Sequence, residues 1–256
     1  MLCIFRRMYT FERIKMGKML RAVTDLLMPR CCLVCGRQLG VHERHLCLRC
    51  EAGLPLTYYW ERVHNPMADK LNAVLERQRE PGEVMPYVPA AALLFYKHDN
   101  PYRRIPQALK YGGNLSVGKA FAQRLGLFLA ASDGFSDVDC VIPVPLHWVR
   151  RWRRGYNQAE VLARALAVSS GARVAPRALR RVRRTRTQTV LDASERLQNV
   201  RSVFRVGHLP AGVRHVLVVD DTFTTGATLA ACCTALRAAL GPSVRLSVAT
   251  LSVVDG

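Results

Sequence analysis

The stretch Val216-Leu-Val-Val-Asp220-Asp221-Thr-Phe-Thr224-Thr225-Gly226-Ala-Thr228 constrains the fold more than any other part of the chain. Its apolar opening is Val-rich and too short to cross a membrane, so it reads as a strand buried on both faces, as in a parallel sheet. The strand runs into adjacent carboxylates and then into hydroxyl residues around a glycine. The Ala-rich run from Ala227 to Leu240 follows and reads as a helix. A strand-loop-helix turn of this kind points its loop off the carboxyl end of the sheet, where open α/β folds bind ligands.

At such a helix start, free backbone N–H groups and the positive dipole end favour an anion, and Gly226 lets the backbone approach it closely. Thr224, Thr225 and Thr228 add hydroxyl donors on either side of Gly226 and Ala227, so a phosphate is the guest that fits. Asp220 and Asp221 would repel a bare phosphate and need another task in the same ligand. Carboxylates accept hydrogen bonds from vicinal hydroxyls, or reach a hard divalent cation. A sugar phosphate satisfies both halves of the loop. The plainer reading, a buried strand whose turn is capped by Asp221 or Thr222, needs only one of these groups. The stretch resembles the signature of type I phosphoribosyltransferases, which bind phosphoribosyl pyrophosphate in this way. It departs at Thr222, where that family usually carries an aliphatic residue.

The chain has 256 residues, half of them hydrophobic and 22% charged, which is globular composition with room for one main domain and a small module. Its net charge of +19, from 38 basic and 19 acidic residues, calls for a polyanionic partner: nucleic acid, an anionic membrane surface or a phosphorylated metabolite. No apolar run reaches the length of a spanning helix, and the basic N-terminus lacks the apolar core and cleavage site of a signal peptide. The cytoplasm is therefore the expected compartment. Residues 1–28 carry little pattern beyond a short amphipathic helix from Met19 to Met28, ended by Pro29, and Met16 or Met19 is an alternative start.

Nine cysteines in such a chain point to metal ligation more than to disulfides. Cys32-Leu-Val-Cys35-Gly36 and, after an eleven-residue spacer, Cys47-Leu-Arg-Cys50 form two Cys-x-x-Cys knuckles able to set four thiolates around one tetrahedral Zn²⁺. Residues 29–56 then form a zinc-ribbon-like module. Cys31 and His45 are rival ligands, read here as a small buried residue and a loop histidine. Residues 57–87 read as a connector with one helix near Ala68 to Arg79.

From residue 88 onward the pattern alternates strands and helices: a strand over Ala90 to Tyr96, helices over Pro101 to Tyr111 and Leu115 to Ala131, and a strand around Asp139 to Leu146. Lys110-Tyr111-Gly112 is a weak local pattern at a helix end. A basic loop with Arg150, Arg151, Arg153 and Arg154 runs into Gly155-Tyr156-Asn157-Gln158 and a helix start, a second place suited to phosphate. The most basic segment, with Arg177, Arg180, Arg181, Arg183, Arg184 and Arg186, reads as an edge strand or hairpin that closes over pyrophosphate or follows a nucleic-acid backbone. Cys232 and Cys233 lie mid-helix with no partner pair.

In order along the chain, the two cysteine knuckles, Pro143-Val-Pro145-Leu, Arg154-Gly-Tyr-Asn-Gln158, Thr185-x-Thr187-Gln188 with Arg196-x-x-Asn199, and Asp220 through Thr228 resemble the ComF family. The resemblance implies a type I phosphoribosyltransferase-like domain over 88–256, an open and mostly parallel α/β sheet with flanking helices, carrying an N-terminal zinc ribbon. It implies a role in natural competence and uptake of single-stranded DNA, or in using DNA as a nutrient, with competence proteins as partners. By the same similarity Asp220 and Asp221 contact the ribose. Thr224, Thr225, Gly226, Ala227 and Thr228 hold the 5′-phosphate. The loop with Arg151, Arg154, Asn157 and Gln158 meets the pyrophosphate of a Mg²⁺-loaded ligand, and the arginine-rich segment through Asn199 covers the site. No acceptor-binding element is visible. The rival expectation is a catalytically silent accessory protein that grips single-stranded DNA through its arginines and aromatic residues.

Overall fold

Alternation along the apolar strands decides which layer each side chain joins. A computed structural model describes residues 29–79, 82, 84–111, 113–146, 155–182 and 203–254. In chain order the elements are α1 (Leu48–Ala52), α2 (Pro66–Arg77), β1 (Ala90–Tyr96), α3 (Arg104–Tyr111), α4 (Leu115–Ala130), β2 (Cys140–Pro143) and α5 (Gln158–Ser170). There follow β3 (Arg173–Val174), β4 (Leu179–Arg181), β5 (Phe204–Val206), β6 (His215–Phe223), α6 (Ala227–Leu240) and β7 (Arg245–Val254). Five strands form one parallel sheet in the order β1-β7-β6-β2-β3, and β4 pairs with β5 as a separate antiparallel hairpin. This is the open α/β sheet with flanking helices that the sequence predicts. The helix expected over 19–28, Arg151 and Arg154 with their neighbours, and the segment Thr185 to Asn199 lie outside the described residues.

Leu217 and Val219 of β6 join Ala91, Leu93, Ala249 and Leu251 under a layer built from α3, α4, α5 and the cysteine module. Val216 and Val218 face the other way, with Ala90, Ala92 and Val248, into a layer built from α2, α6 and the hairpin. In the first layer α4 and α5 approach closely at Gly126, where a Cβ would stand 2.7 Å from the Leu166 carbonyl oxygen. In the second, the segment read as a connector supplies Met67, Leu71 and Leu75, all buried, from one face of α2. Asn65 accepts from Met67 N and Ala68 N to cap α2, while its amide donates to the carbonyls of Tyr59, Arg62 and Ala90. The outer edge of β1 is covered by 55–57, through Thr57 N to Leu93 O at 3.1 Å and Phe95 N to Pro55 O at 2.8 Å. Pro106 falls in the first turn of α3, where its missing N–H costs the helix nothing. No helix among the described residues is long and apolar enough to cross a membrane.

The amino end of β6 is fixed by a polar lock. His215 is 1% exposed, with Nδ1 2.7 Å from Asp137 Oδ1 and Nε2 2.9 Å from Ser247 Oγ. A carboxylate only accepts, so Nδ1 carries the proton and Nε2 accepts from the Ser247 hydroxyl. Burial pulls the imidazole pKa below its ordinary 6.5, against the upward pull of Asp137. The unfolded chain therefore takes up a proton that the folded one resists, and stability falls as pH drops through 6.5. Urea unfolding of His215→Gln should show a protein about 1–3 kcal/mol weaker at neutral pH. Its stability should fall less than wild type's between about pH 7.5 and about pH 5, and parallel curves would refute the assignment.

Candidate functional site

From β2 the chain steps outward through α5 to β3, and from β6 it steps the other way through α6 to β7, with α5 and α6 on opposite faces. The carboxyl ends of β2 and β6 therefore flank the topological switch point, the crevice where open sheets take ligands. Two of the predicted site segments leave from these two strands. The two loops are tied at their roots: Val144 N donates to Val219 O at 2.8 Å.

Val219 is the last fully buried residue of the central run, and Asp220, Asp221 and Thr222 are half-buried beyond it. Alternation sends Asp220 toward the α6 and hairpin layer and Asp221 toward the α3 layer. Cationic charge reaches both. Lys110 of α3 places Nζ 3.4 Å from Asp221 Oδ1, and the charge of Arg181, on β4, acts on Asp220. Burial pushes the Asp220 carboxyl up to about 7, helped by the neighbouring Asp221 charge; the Asp221 N–H, Lys110 and Arg181 pull the other way. That N–H donates to Asp220 Oδ1 at 2.8 Å.

Thr224, Thr225, Ala227 and Thr228 are exposed around Gly226, which sits at φ +78°. A Cβ on Gly226 would also fall 2.9 Å from the Phe223 ring, so only glycine suits the turn. No side chain caps α6, apart from a 3.4 Å contact of Ala227 N with Thr225 Oγ1, leaving the helix start open to an anion. On the β2 side Asn157 caps α5, accepting from Ala159 N at 3.2 Å and donating to Val144 O at 3.0 Å. Gln158 is buried, its amide nitrogen unpartnered among the described residues. Tyr156 donates its hydroxyl to Leu109 O, pinning α3 beside the crevice. Asp220, Asp221 and Thr224 to Thr228 thus follow the end of β6, and Asn157 and Gln158 open the helix after the neighbouring β2, whereas Arg151 and Arg154 lie outside the described residues. Lys110 was read only as a helix end, because nothing local says which strand a lysine will meet.

The second site is the thiol cluster. Cys32, Cys35, Cys47 and Cys50 bring their sulfurs within 4.8 Å of one another, with Cys35 and Cys47 at 3.7 Å. Sulfurs at ~2.3 Å from a tetrahedral zinc stand about 3.8 Å apart, so the donor set fits that ion. Gly36 takes φ +77° in the first knuckle, and Cys47 N–H points at Cys32 Sγ at 3.4 Å. Burial raises the Cys32 thiol, but the N–H groups of Cys35, Cys47 and Val34 outweigh it and bring it to about 6. Burial among its neighbours pushes Cys50 up to about 12, so a cation must offset the charge before all four ionise. Cys31 and His45 stand outside the cluster. The module docks on the start of α3 and the turn before it: Tyr102 OH donates to Cys50 O at 2.9 Å and Arg104 Nη1 to Val34 O at 2.7 Å.

Metal analysis should give about one zinc per chain, retained in Cys31→Ser and lost in Cys47→Ser with a drop in thermal midpoint; loss from Cys31→Ser would overturn the ligand set. For Asp220 the folded state holds the proton more tightly than the unfolded chain. Its ionisation cost is absent below pH 3.8, grows with pH and is complete above about 7. Asp220→Asn should therefore stabilise the ligand-free protein at about pH 8 by at least about 1 kcal/mol, roughly 2–4 °C in midpoint, with little gain near pH 4. Equal midpoints at the higher pH would contradict the raised pKa.

No protein-family model matches the chain. The DNA utilization protein YhgH of Escherichia coli O157:H7 is 32% identical over 202 residues, covering 78% of this chain and 80% of that protein. YhgH of Salmonella typhimurium is 35% identical over 133 residues, 51% of this chain and 58% of that protein. Competence protein F of Haemophilus influenzae is 34% identical over 136 residues, 50% of this chain and 58% of that protein. Among solved structures, orotate phosphoribosyltransferase from Aeropyrum pernix is 15% identical and overlays 72% of this chain and 92% of that one with a TM-score of 0.33, too loose a fit to argue from. The match to YhgH over most of both chains, together with the ordered motifs, means that this chain belongs to the ComF family.

Proposed function

We propose that this protein binds phosphoribosyl pyrophosphate with Mg²⁺ at the switch-point crevice and serves competence or DNA utilization from the cytoplasm. The observation that carries the reading is the Asp220–Asp221 pair at the end of β6, with Lys110 paired to Asp221, beside an uncapped helix start in an exposed threonine loop. Asp220 and Asp221 accept the ribose hydroxyls, and Thr224, Thr225, Gly226, Ala227 and Thr228 receive the 5′-phosphate. The β2 loop, closed by Asn157 and Gln158 and carrying Arg151 and Arg154, takes the diphosphate. The names of the relatives support the biological half of the reading.

Among the described residues the thiols are the only group of three or more ligating side chains that come together. Mg²⁺ would enter with the diphosphate of the ligand. It would supply charge neutralisation as that group departs. In the transfer itself the C1–O bond to the diphosphate breaks with the electron pair leaving on oxygen. The acceptor then bonds to C1 and gives up a proton. The arginines oppose the charge that develops on the leaving group, and the carboxylates hold the sugar.

A second reading has its own support. Arg180 and Arg205 stand directly opposite each other in the β4–β5 hairpin and both are exposed, with Arg177 nearby in sequence. Like charges paired across strands cost stability, so such a pair suits an outside polyanion such as single-stranded DNA.

Calorimetric titration of the zinc-loaded protein should show binding of phosphoribosyl pyrophosphate that depends on Mg²⁺ and weakens at least about tenfold in Asp220→Asn and in Asp221→Asn. Unchanged affinity in both variants sinks the site assignment. No binding by folded wild type leaves the DNA reading, which requires single-strand affinity that falls steeply with salt and survives in Asp220→Asn.

A further inference from the structure

Neither Lys110 nor Thr222 takes any part of the ligand in the proposed reading, yet they close a ring of bonds around Asp221. Lys110 Nζ lies 3.0 Å from Thr222 Oγ1 and 3.4 Å from Asp221 Oδ1. Thr222 faces Ser252 across the β6–β7 register, with their hydroxyl oxygens 3.1 Å apart, and Ser252 Oγ lies 3.4 Å from the Asp221 carbonyl oxygen. An ammonium only donates, so Thr222 Oγ1 accepts from Lys110 and donates its own proton toward Ser252, whose hydroxyl in turn donates to Asp221 O. The same string of donors therefore grips Asp221 at its carboxylate and at its backbone.

The ring is built rather than incidental. Ser252 is fully buried, the side chains of Lys110 and Asp221 are only 25% and 16% exposed, and Leu109, one residue before Lys110, is held by the Tyr156 hydroxyl. It also gives the threonine at 222 a task that an aliphatic side chain could not perform. With an aliphatic residue there, Lys110 would lose an acceptor and the buried Ser252 hydroxyl a partner.

We propose that Lys110 is the positioning residue for Asp221, steered onto that carboxylate by the Thr222–Ser252 hydroxyl pair so that Asp221 is fixed to receive a sugar hydroxyl. The inference rests on the phosphoribosyl reading and deepens it: the sugar end of the ligand, not its diphosphate, depends on Lys110.

The test titrates the full-length zinc-loaded protein separately with phosphoribosyl pyrophosphate plus Mg²⁺, with ribose 5-phosphate and with inorganic pyrophosphate plus Mg²⁺. Lys110→Met should weaken both sugar ligands at least about tenfold while leaving inorganic pyrophosphate within about threefold. Lys110→Arg should recover most of that loss. Thr222→Val should weaken the same two ligands by about three- to tenfold, and Thr222→Ser should restore them. Wild-type affinity in Lys110→Met overturns the inference, as does an equal loss for inorganic pyrophosphate, which would make Lys110 a direct anion ligand. An arginine variant as weak as the methionine one overturns it too. If wild type binds neither sugar ligand, the phosphoribosyl reading falls and takes this inference with it. Sugar binding that ignores Lys110 removes this inference alone.

Discussion

The structure depends on β6 having to bury both of its faces. Five consecutive residues, His215 to Val219, are excluded from water, which forces a helical layer on each side and a strand along each edge. β7 and β2 supply the edges, and the two layers supply the walls of the crevice. Where the apolar run stops, alternation continues, so the first two polar residues are delivered to opposite sides of the sheet. Two carboxylates adjacent in sequence thus face different neighbours, and Lys110 from α3 pairs with Asp221.

The arrangement is asymmetric in a way that chemistry can use. Asp220, nearer the buried thiols of α6, resists ionisation, while Asp221 is held in a ring of donors. A ligand hydroxyl therefore meets two acceptors of different character across one strand end. The polar lock of His215 at the other end of β6 resists movement of the strand along its axis, and so keeps those acceptors in register with the threonine loop.

Much of this was legible in the residue order, for reasons that are local. The apolar run with its carboxylates, Gly226 at a positive φ and the paired Cys-x-x-Cys knuckles each announce their geometry within a few positions. Lys110 did not, since its partner Thr222 lies 112 residues further on and only the β6–α3 packing joins them. Asn157 stood out as an amide beside arginines, yet both ends of its side chain serve the scaffold, as α5 cap and as a brace to Val144. The layer role of α2 was hidden for another reason. Met67, Leu71 and Leu75 recur every four residues, but prolines and charges around them mask the stripe.

One short helix belongs to both halves of the molecule. The segment entering α3 clasps the cysteine knuckles through Tyr102 and Arg104, and its last turn delivers Lys110 to the crevice. The N-terminal module is therefore not an interchangeable appendage. Grafting it onto another sheet, or replacing it with a module from a distant relative, would require carrying α3 along or rebuilding its two ends together. Drift in the knuckles and drift at the ligand crevice are mechanically linked, so the two regions are expected to have changed in step.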